Sequence, residues 1–184
     1  MDRKIRTKRL LLRPLCADDT EPVFALFANW EVIRWLSSPP WPYTRSDASS
    51  FIELCDRNRS DDEAELAIAL DGRVIGCIGM RVWPARHLQS GPGPFVGYWL
   101  GQPYWGNGYM TEAARSFLAR ILATHACDAI YSGVFAGNVA SLRVQEKLGF
   151  ARDGETTLYS KPRGGDYPHV NTRLTRSAFE ARLR

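Results

Sequence analysis

The apolar residues of the chain follow two periodicities, and the clearest change from one to the other falls between residues 95 and 122. Residues 95–100 (F-V-G-Y-W-L) form an extended apolar run that predicts a buried strand. A turn follows at Gly101-Gln102-Pro103. Beyond residue 108 the apolar positions recur at helical spacing: Ala113, Phe117, Leu118, Ile121 and Leu122. The order is therefore strand, glycine-containing loop, helix.

The same criteria predict alternating strands and helices elsewhere. Strands are predicted near residues 8–15, over 65–70 and 73–82, which Asp71-Gly72 joins as a hairpin, and over 129–135. Three helix starts are predicted from capping residues followed by an apolar face: Asp18 or Asp19 before Val23, Leu26 and Phe27; Thr44 and Asp47 before Phe51, Ile52 and Cys55; and Asn138, whose helix ends at Gly149. A bend rich in tryptophan and proline covers residues 30–43, and a loop covers 84–94. These elements predict one α/β domain over residues 1–184.

Composition narrows the class of protein. The chain has 184 residues, of which 45% are hydrophobic and 24% charged, which suits a folded domain. It contains no apolar run of about 18 residues, and no signal peptide is visible before Thr7, so a cytoplasmic protein without a membrane partner is expected. The four cysteines have no metal-like spacing and the three histidines do not cluster, so reduced thiols and no metal are expected.

The net charge of +4 comes from lysines and arginines that are scattered along the chain. A nucleic-acid-binding protein would show a basic patch interleaved with aromatic residues, and none is evident. We therefore expect attraction for a small polyanionic cofactor and no nucleic-acid partner.

The loop over residues 105–114 (W-G-N-G-Y-M-T-E-A-A) carries the first candidate chemistry. Glycines before a helix allow backbone N–H groups to approach a phosphate, and the helix dipole adds partial positive charge. The loop lacks the Gly-Lys-Ser/Thr ending of a P-loop, and Thr111 stands where a dinucleotide loop needs glycine. By itself the loop is consistent with either a phosphate site or an ordinary strand-to-helix turn.

A second segment decides between these alternatives. Residues 137–150 read G-N-V-A-S-L-R-V-Q-E-K-L-G-F, and residues 7–15 read T-K-R-L-L-L-R-P-L. Together with the glycine loop, in this order, they resemble the GCN5-related N-acetyltransferases (GNATs), in particular the RimJ/RimL-like subgroup. The resemblance implies an α+β GNAT fold, with a central mixed, largely antiparallel sheet of about seven strands, a splayed middle pair and flanking helices.

The resemblance also implies acetyl-CoA as the cosubstrate and assigns site residues. The main chain of Tyr98, Trp99 and Leu100 would bond the pantetheine arm, with the oxyanion donor expected near Trp99 or Leu100. Backbone N–H groups of the loop would hold the pyrophosphate: Gly106, Asn107, Gly108, Tyr109, Met110 and Thr111. Asn138 would cap its helix and bond the cofactor arm. Ser141 would protonate the departing thiolate.

Some positions depart from the family pattern. Met110 replaces a small residue and is expected to crowd the phosphate, and Gln145 stands where many members carry a proton-donating tyrosine. The central strand also lacks the acid that subgroup members often carry, because its positions are Phe95 and Val96. Glu65 on a neighbouring strand is the candidate general base, with Glu63 and Asp62 as weaker candidates and water-mediated deprotonation as an alternative. Glu112 is expected to interact with the helix dipole.

The acceptor is expected to be a primary amine, such as a protein or peptide N-terminus. Two alternatives stay open at this point. One is a small-molecule amine acetyltransferase of the aminoglycoside or polyamine type. The other is a non-catalytic acyl-CoA-binding module, which the missing acid favours. The tryptophan-rich bend and the loop over residues 84–94 are expected to line the acceptor side, and a homodimer stays open.

Overall fold

A computed structural model describes residues 4–58, 60, 63–83 and 93–183 of the chain. One eight-stranded sheet runs through it in the order β1-β2-β3-β4-β5-β6-β8-β7. The strands are β1 Ile5–Arg6, β2 Leu10–Pro14, β3 Glu63–Leu70, β4 Arg73–Trp83, β5 Gly93–Leu100, β6 Ala129–Phe135, β7 Ala151–Ser160 and β8 Gly165–Thr175. The helices are α1 Thr20–Phe27, α2 Trp30–Ile33, α3 Arg45–Arg57, α4 Tyr109–Thr124, α5 Val139–Leu148 and α6 Arg176–Ala181.

The sheet is antiparallel at every pairing except that of β5 with β6, which is parallel. The predicted α+β fold with a mixed, largely antiparallel sheet is thereby confirmed. The sheet has eight strands where about seven were expected, and two-residue β1 at one edge is the shortest of them. Short 3-10 turns at Ala17–Asp19 and Gln102–Tyr104 precede α1 and α4.

The sheet buries apolar residues on both faces because alternate strand residues point to opposite sides. On one side, Val96 and Leu100 of β5 pack in a core with residues of α4, α5 and α6; we call this the α4 face. On the other, Trp99 packs in a second core with residues of α1, α2 and α3; we call this the α1 face. The two faces supply different halves of the candidate site.

Local signals in the sequence correspond to local structure. Thr44 and Asp47 form the predicted capping box at α3. Asp71 and Gly72 both have positive φ angles, 49° and 81°, and connect β3 to β4 as the predicted hairpin turn. Gly149 ends α5 in the left-handed conformation, with a φ of 97°.

Other features also differ from the expectations. The tryptophan-rich bend contains the short helix α2, which the sequence pattern did not indicate. Asp19 precedes α1, but its carboxylate binds Arg13 at 2.7 Å instead of capping the helix. The predicted loop over residues 84–94 lies outside the described residues except for Gly93 and Pro94, which begin β5.

Three further observations on the described residues concern the cysteines, potential metal ligands and membrane-spanning helices. None of the four cysteines, all within the described residues, forms a disulfide bond, and only Cys77 is fully buried. No group of three or more potential metal ligands occurs among these residues. None of the described helices is both long and apolar enough to cross a membrane.

Candidate active site

The parallel strands β5 and β6 part almost as soon as they meet. Phe95 and Tyr131 are their only paired residues. The amide of Gly101 donates to the carbonyl of Ile75 on β4 at 2.9 Å. Because main-chain groups of successive strand residues point to opposite sides, Val96, Tyr98 and Leu100 direct theirs toward the gap between β5 and β6. The predicted splay of the middle strand pair is therefore present.

The main-chain groups that face this gap differ in availability. The carbonyl of Val96 accepts from Ser132 Oγ at 2.8 Å, and the carbonyl of Leu100 accepts from the indole Nε1 of Trp105 at 2.7 Å. Tyr98 lies between them, and β6 offers its main chain no pairing partner. Trp99 directs its amide toward Cys77 of β4 instead. This corrects the expectation for Trp99, since the amides that point into the gap are those of Tyr98 and Leu100.

The glycine loop joins this gap to the N-terminus of α4. Gly106 and Gly108 have φ angles of 77° and 76°, a left-handed conformation that glycine adopts without strain. Gly108 is also the N-cap of α4 and has no side chain to cap it. Asn107 stabilises the loop itself, because its Nδ2 donates to the carbonyl of Trp105 at 2.9 Å. The first N–H groups of α4 therefore begin next to an exposed, open loop.

The side chains of residues 109–111, which follow this loop, differ in their burial. The side chain of Met110 is 6% exposed and packs in the core of the α4 face. The expected crowding of the phosphate by Met110 is therefore wrong, because only its main chain belongs to the loop. Tyr109 and Thr111 are half-buried in the first turn of α4.

Arg9 approaches the same loop from a distant part of the chain. Its Nε binds Glu112 Oε2 at 2.7 Å, and its Nη1 donates to the carbonyl of Asn107 at 3.1 Å. The guanidinium lies 4.4 Å from the ring centre of Tyr109, and a β-carbon on Gly108 would be 3.7 Å from its Nη2. Residues 101–114 contain no lysine or arginine, so Arg9 brings a cation to the loop.

Glu112 has a more specific role than the expected interaction with the helix dipole. Its Oε1 also accepts from Thr7 Oγ1 at 2.6 Å and from the amide of Arg9 at 2.8 Å. These hydrogen bonds and the nearby guanidinium outweigh partial burial and lower the pKa of Glu112. The carboxylate thus stays ionised and anchors the segment before β2 against α4. The sequence contained Arg9 within its matched opening motif, but nothing in it indicated this contact.

Across the gap, the N-terminus of α5 faces β5. Asn138 caps α5 as predicted, its Oδ1 accepting from the amide of Ser141 at 3.2 Å. The phenol oxygen of Tyr98 lies 3.0 Å from Ser141 Oγ and 3.3 Å from the Ser141 carbonyl. Burial raises the pKa of Tyr98 to about 12, so its phenol keeps its proton at neutral pH. Ser141, Asn138 and Tyr98 therefore come together, as the sequence hypothesis requires.

Gln145 fixes α5 to the sheet at the closed end of the gap. It is 1% exposed, donates to Ser132 Oγ at 2.9 Å and accepts from Thr172 Oγ1 at 2.8 Å. Ser132 in turn donates to the carbonyl of Val96. This buried chain of hydrogen bonds connects β8, α5, β6 and β5. Gln145, at the position where the resemblance leads one to expect a tyrosine, therefore has a structural role.

A cavity of about 380 Å³ opens on the α1 face. Its apolar wall includes Phe27, whose ring centre is 4.8 Å from that of Tyr43 and 4.6 Å from that of Trp99. Residues 36–40 of the tryptophan-rich bend form another side of the cavity. Trp41, in contrast, is 42% exposed and packs against Trp30.

Two acids line this cavity, Asp47, whose carboxylate is held in the capping box of α3, and Glu65. Strand pairing places Glu65, Gly79 and Gly97 side by side on β3, β4 and β5. A β-carbon on Gly79 would overlap the Glu65 carboxylate, whereas one on Gly97 would have no neighbour within 4 Å. Burial is the main cause that raises the pKa of Glu65 to about 7. The two glycines thus leave an open path from a carboxylate of nearly neutral pKa to the splayed strand.

The other candidate bases differ from Glu65. Glu63 forms an ion pair with Arg81, and Asp62 lies outside the described residues. The sequence pattern gave His169 no role as a base, yet a β-carbon on Gly133 of β6 would overlap its imidazole. Burial lowers the pKa of His169, and its Nδ1 lies 3.1 Å from Asn171 Oδ1. His169 therefore lies on the α1 face at the opposite side of the gap from Glu65.

Comparison with known proteins identifies the family of the chain. The family model of the acetyltransferase (GNAT) domain matches residues 9–151. This match spans most of the chain, and the chain therefore belongs to the GNAT family. It is an acetyl-CoA-dependent acyltransferase of the N-acetyltransferase type.

Individual relatives cover most of the chain at modest identity. The Bacillus subtilis protein YjcK, described as a probable N-acetyltransferase, is 28% identical over 156 residues, which are 82% of this chain and 84% of its own. Mycobacterium smegmatis RimJ, solved in complex with CoA-disulfide, has a TM-score of 0.79 at 21% identity, covering 95% of this chain and 87% of its own. The microcin self-immunity acetyltransferase MccE, solved with acetyl-CoA and AMP, has a TM-score of 0.76 at 18% identity, covering 91% and 93%.

Proposed function

We propose that the protein transfers the acetyl group of acetyl-CoA to a primary amine by direct attack in a ternary complex. The observation that carries this proposal is the separation of β5 from β6 after Phe95 and Tyr131. The gap connects the glycine loop and α5 to the acceptor cavity on the α1 face. Cofactor and amine can therefore approach the same point from opposite faces of the sheet.

The cofactor half of the proposal rests on main-chain groups. The N–H groups between Gly106 and Thr111 hold the pyrophosphate at the N-terminus of α4, where the helix dipole favours an anion. Arg9 neutralises the Glu112 carboxylate near the helix N-terminus and places its guanidinium beside Gly108, where it can contact a phosphate. The pantetheine arm then bonds the unpaired amide of Tyr98, as an added strand bonds a sheet edge. Asn138 contacts the same arm while it caps α5.

The acceptor half rests on Glu65. An alkyl ammonium group has a pKa near 10, so it must lose a proton before it attacks the thioester. The Glu65 carboxylate borders the cavity, and its pKa of about 7 suits a general base at neutral pH. Gly97 leaves the space above β5 open for the amine. Glu65 therefore takes the place of the acid that β5 lacks, which argues against a non-catalytic module.

Ser141 is the proposed proton donor to the leaving thiolate. When the Tyr98 phenol donates to Ser141 Oγ or to its carbonyl, the serine hydroxyl proton is free to point at the sulfur. The amide of Leu100 also faces the gap and is the candidate donor to the tetrahedral oxyanion. In this arrangement Tyr98 is a positioning residue and Ser141 is the group that contacts the reacting atoms.

The acceptor class remains a peptide N-terminus or a small amine. The fold similarity to a ribosomal-protein-serine acetyltransferase from Vibrio cholerae supports the peptide. The cavity of about 380 Å³ is large enough for a small amine or for the first residues of a chain. Thiol release from acetyl-CoA in the presence of panels of peptides and small amines tests the proposal. Acetyl-CoA-dependent release with at least one primary amine is expected, and release that no amine stimulates contradicts it.

A further inference from the structure

Two arginines beside the acceptor cavity have buried N–H groups that no other group satisfies. Arg163 lies in the turn between β7 and β8, and Arg34 ends helix α2. Among the described residues, Arg163 Nη2 and Arg34 Nε are buried without a hydrogen-bond partner. A buried, unsatisfied donor on a charged group is costly, so a native structure that keeps two such donors close together requires an explanation.

Arg163 is held rigidly by its surroundings. Its guanidinium lies 3.7 Å from the ring centre of Tyr167 and 4.2 Å from that of Phe135, and its Nε donates to Ser160 Oγ at 3.1 Å. Arg34 stacks 4.7 Å from the ring centre of Trp35 and contacts Glu31 at 3.0 Å through Nη2. The stacking fixes the plane of each guanidinium group.

The turn that carries Arg163 is bound to the wall of the acceptor cavity. The amide of Lys161 donates to the carbonyl of Ser37 at 2.8 Å, and Ser160 Oγ donates to the carbonyl of Leu36 at 3.1 Å. Leu36 and Ser37 line the cavity. Arg34 is two residues before Leu36, so the segments that carry the two arginines meet at this wall; we call their junction the rim, although neither arginine itself lines the cavity.

The electrostatics of this rim favour an anion. Burial lowers the pKa of Arg163, and the positive charge of Arg34 lowers it further, so the two guanidinium groups are close enough to repel. No acidic side chain of the described residues bonds Arg163, and Glu31 pairs with Arg34 only through Nη2. A planar anion placed between the arginines would satisfy both orphan donors and remove the repulsion.

Resting on the proposed acetyltransferase function, we propose that Arg34 and Arg163 form an anion subsite for a carboxylate or phosphate group carried by the acceptor amine. The acceptor is then an amine that also bears a negative charge, such as an amino acid, a phosphorylated amine or a peptide with an acidic residue near its N-terminus. The amine enters between Glu65 and the cofactor, and the anion docks at the rim. Polycationic amines are disfavoured.

Matched acceptor pairs test this preference by thiol release at saturating acetyl-CoA. The pairs are 4-aminobutyrate and butylamine, phosphoethanolamine and ethanolamine, and the dipeptide amides Ala-Asp and Ala-Asn. In at least one pair, the anionic member is expected to have a kcat/KM about 10- to 100-fold higher, the range for hydrogen bonds to charged groups. The pair that shows the preference tells whether the acceptor carries a carboxylate or a phosphate. It also tells whether a carboxylate belongs to a small amine or to a peptide. Equal kcat/KM values within all three pairs would overturn the anion subsite and leave the proposed acetyltransferase function standing.

Variants show whether the arginines cause the preference. In Arg163→Gln, the ratio of kcat/KM between the anionic and the neutral member of the favoured pair is expected to fall near one, while the KM for acetyl-CoA stays unchanged. Arg163→Lys is expected to keep part of the preference. Arg34→Gln is an independent test if Arg163→Gln does not fold. Arg173→Gln, at an exposed position of β8, removes the same charge and is expected to keep the full ratio of kcat/KM values. A ratio that survives in both Arg163→Gln and Arg34→Gln contradicts the proposal.

A binding measurement separates this proposal from the proposed function. Sodium phosphate, added at constant ionic strength to the protein saturated with CoA, is expected to raise the Tm of the wild type and of Arg173→Gln, but not of Arg163→Gln. Equal shifts in all three proteins count against the subsite. Failure of the wild type to bind CoA at all would instead contradict the acetyltransferase proposal.

Discussion

The carboxylate of Glu65 lies over Gly79, in the space that the side chain of any other residue there would fill. The two residues face each other on β3 and β4, and Gly97 continues the same row on β5. An acid two strands away from the splayed strand β5 can therefore reach toward it, because neither Gly79 on β4 nor Gly97 on β5 itself carries a side chain. This relationship explains how the chain can lack an acid on β5 and still present a base to the amine.

Glu65→Gln is expected to reduce the maximal rate with a small amine by about 100-fold or more, within the range for general acid–base catalysis. In the wild type, kcat/KM should rise with pH through about 7, as Glu65 loses its proton, and this rise should be absent in the variant. Steady-state rates from pH 5.5 to 9 provide the measurement. Glu63→Gln on the same strand is the control, and an unchanged profile in Glu65→Gln would exclude Glu65 as the base.

The same carboxylate should make folding stability depend on pH. Its pKa is raised from 4.5 to about 7 in the folded protein, so the folded state binds the proton more tightly than the unfolded state. Glu65 therefore contributes stability below about pH 4.5 and loses this contribution as the pH rises through 7. Glu65→Gln should become more stable than the wild type above pH 7, by at most about 3 kcal/mol. Urea unfolding at pH 4.5 and pH 8 measures the difference, and an equal difference at both contradicts the buried carboxylate.

Gly97→Ala probes the path between Glu65 and the cofactor. A β-carbon there has no neighbour within 4 Å, so the variant should fold normally. The added methyl group occupies the space through which the amine would approach, and we expect kcat/KM for the amine to fall about tenfold or more, as small misplacements in active sites do. CoA affinity should remain within twofold. Gly165→Ala, whose β-carbon would only reach van der Waals contact with Tyr167, is the matched control.

The parts of the site that the sequence could predict are those built from neighbouring residues. The glycine loop, the cap at Asn138 and the hairpin at Asp71-Gly72 depend on a few consecutive positions. The pair Arg9 and Glu112 joins residues 103 positions apart, and the row from Glu65 to Gly97 depends on strand register, so neither leaves a local pattern. Strand β7 was also missed, because its exposed sequence A-R-D-G-E-T-T-L-Y-S lacks alternation of apolar and polar residues.

The cofactor loop can be tested at Gly108 and Arg9. Gly108→Val should weaken CoA binding at least tenfold, because a branched side chain blocks the approach of a phosphate to the N-terminus of α4. Gly108→Asn, which tolerates the left-handed backbone better, separates strain from blockage. Calorimetric titration with CoA is the measurement. Unchanged affinity in a folded Gly108→Val variant would rule out the loop as the pyrophosphate site.

Arg9→Gln should weaken the binding of CoA more than that of pantetheine, which lacks the phosphates that Arg9 would attract. The loss should shrink at high salt, since Arg9 is exposed and its charge is screened there. Thermal unfolding of the variant in the absence of cofactor controls for the lost contact with Glu112. An equal loss for CoA and pantetheine would indicate that Arg9 only supports the loop.

Ser141 and Tyr98 make distinguishable contributions to release of the thiolate. Ser141→Ala should lower the maximal rate about 10- to 100-fold, the low end for general-acid catalysis, because the thiol of CoA is a tolerable leaving group without help. The KM for acetyl-CoA should stay nearly constant. If Ser141 only positions the cofactor, the KM rises and the maximal rate does not change.

Tyr98→Phe removes only the phenol that directs the Ser141 hydroxyl. If Tyr98 acts through Ser141, the loss in Tyr98→Phe should be smaller than in Ser141→Ala, and the double variant should be no slower than Ser141→Ala alone. Multiplied losses in the double variant would instead indicate that the phenol donates a proton itself. That outcome would move the acid from α5 to the splayed strand, where the raised pKa of Tyr98 keeps its proton available at neutral pH.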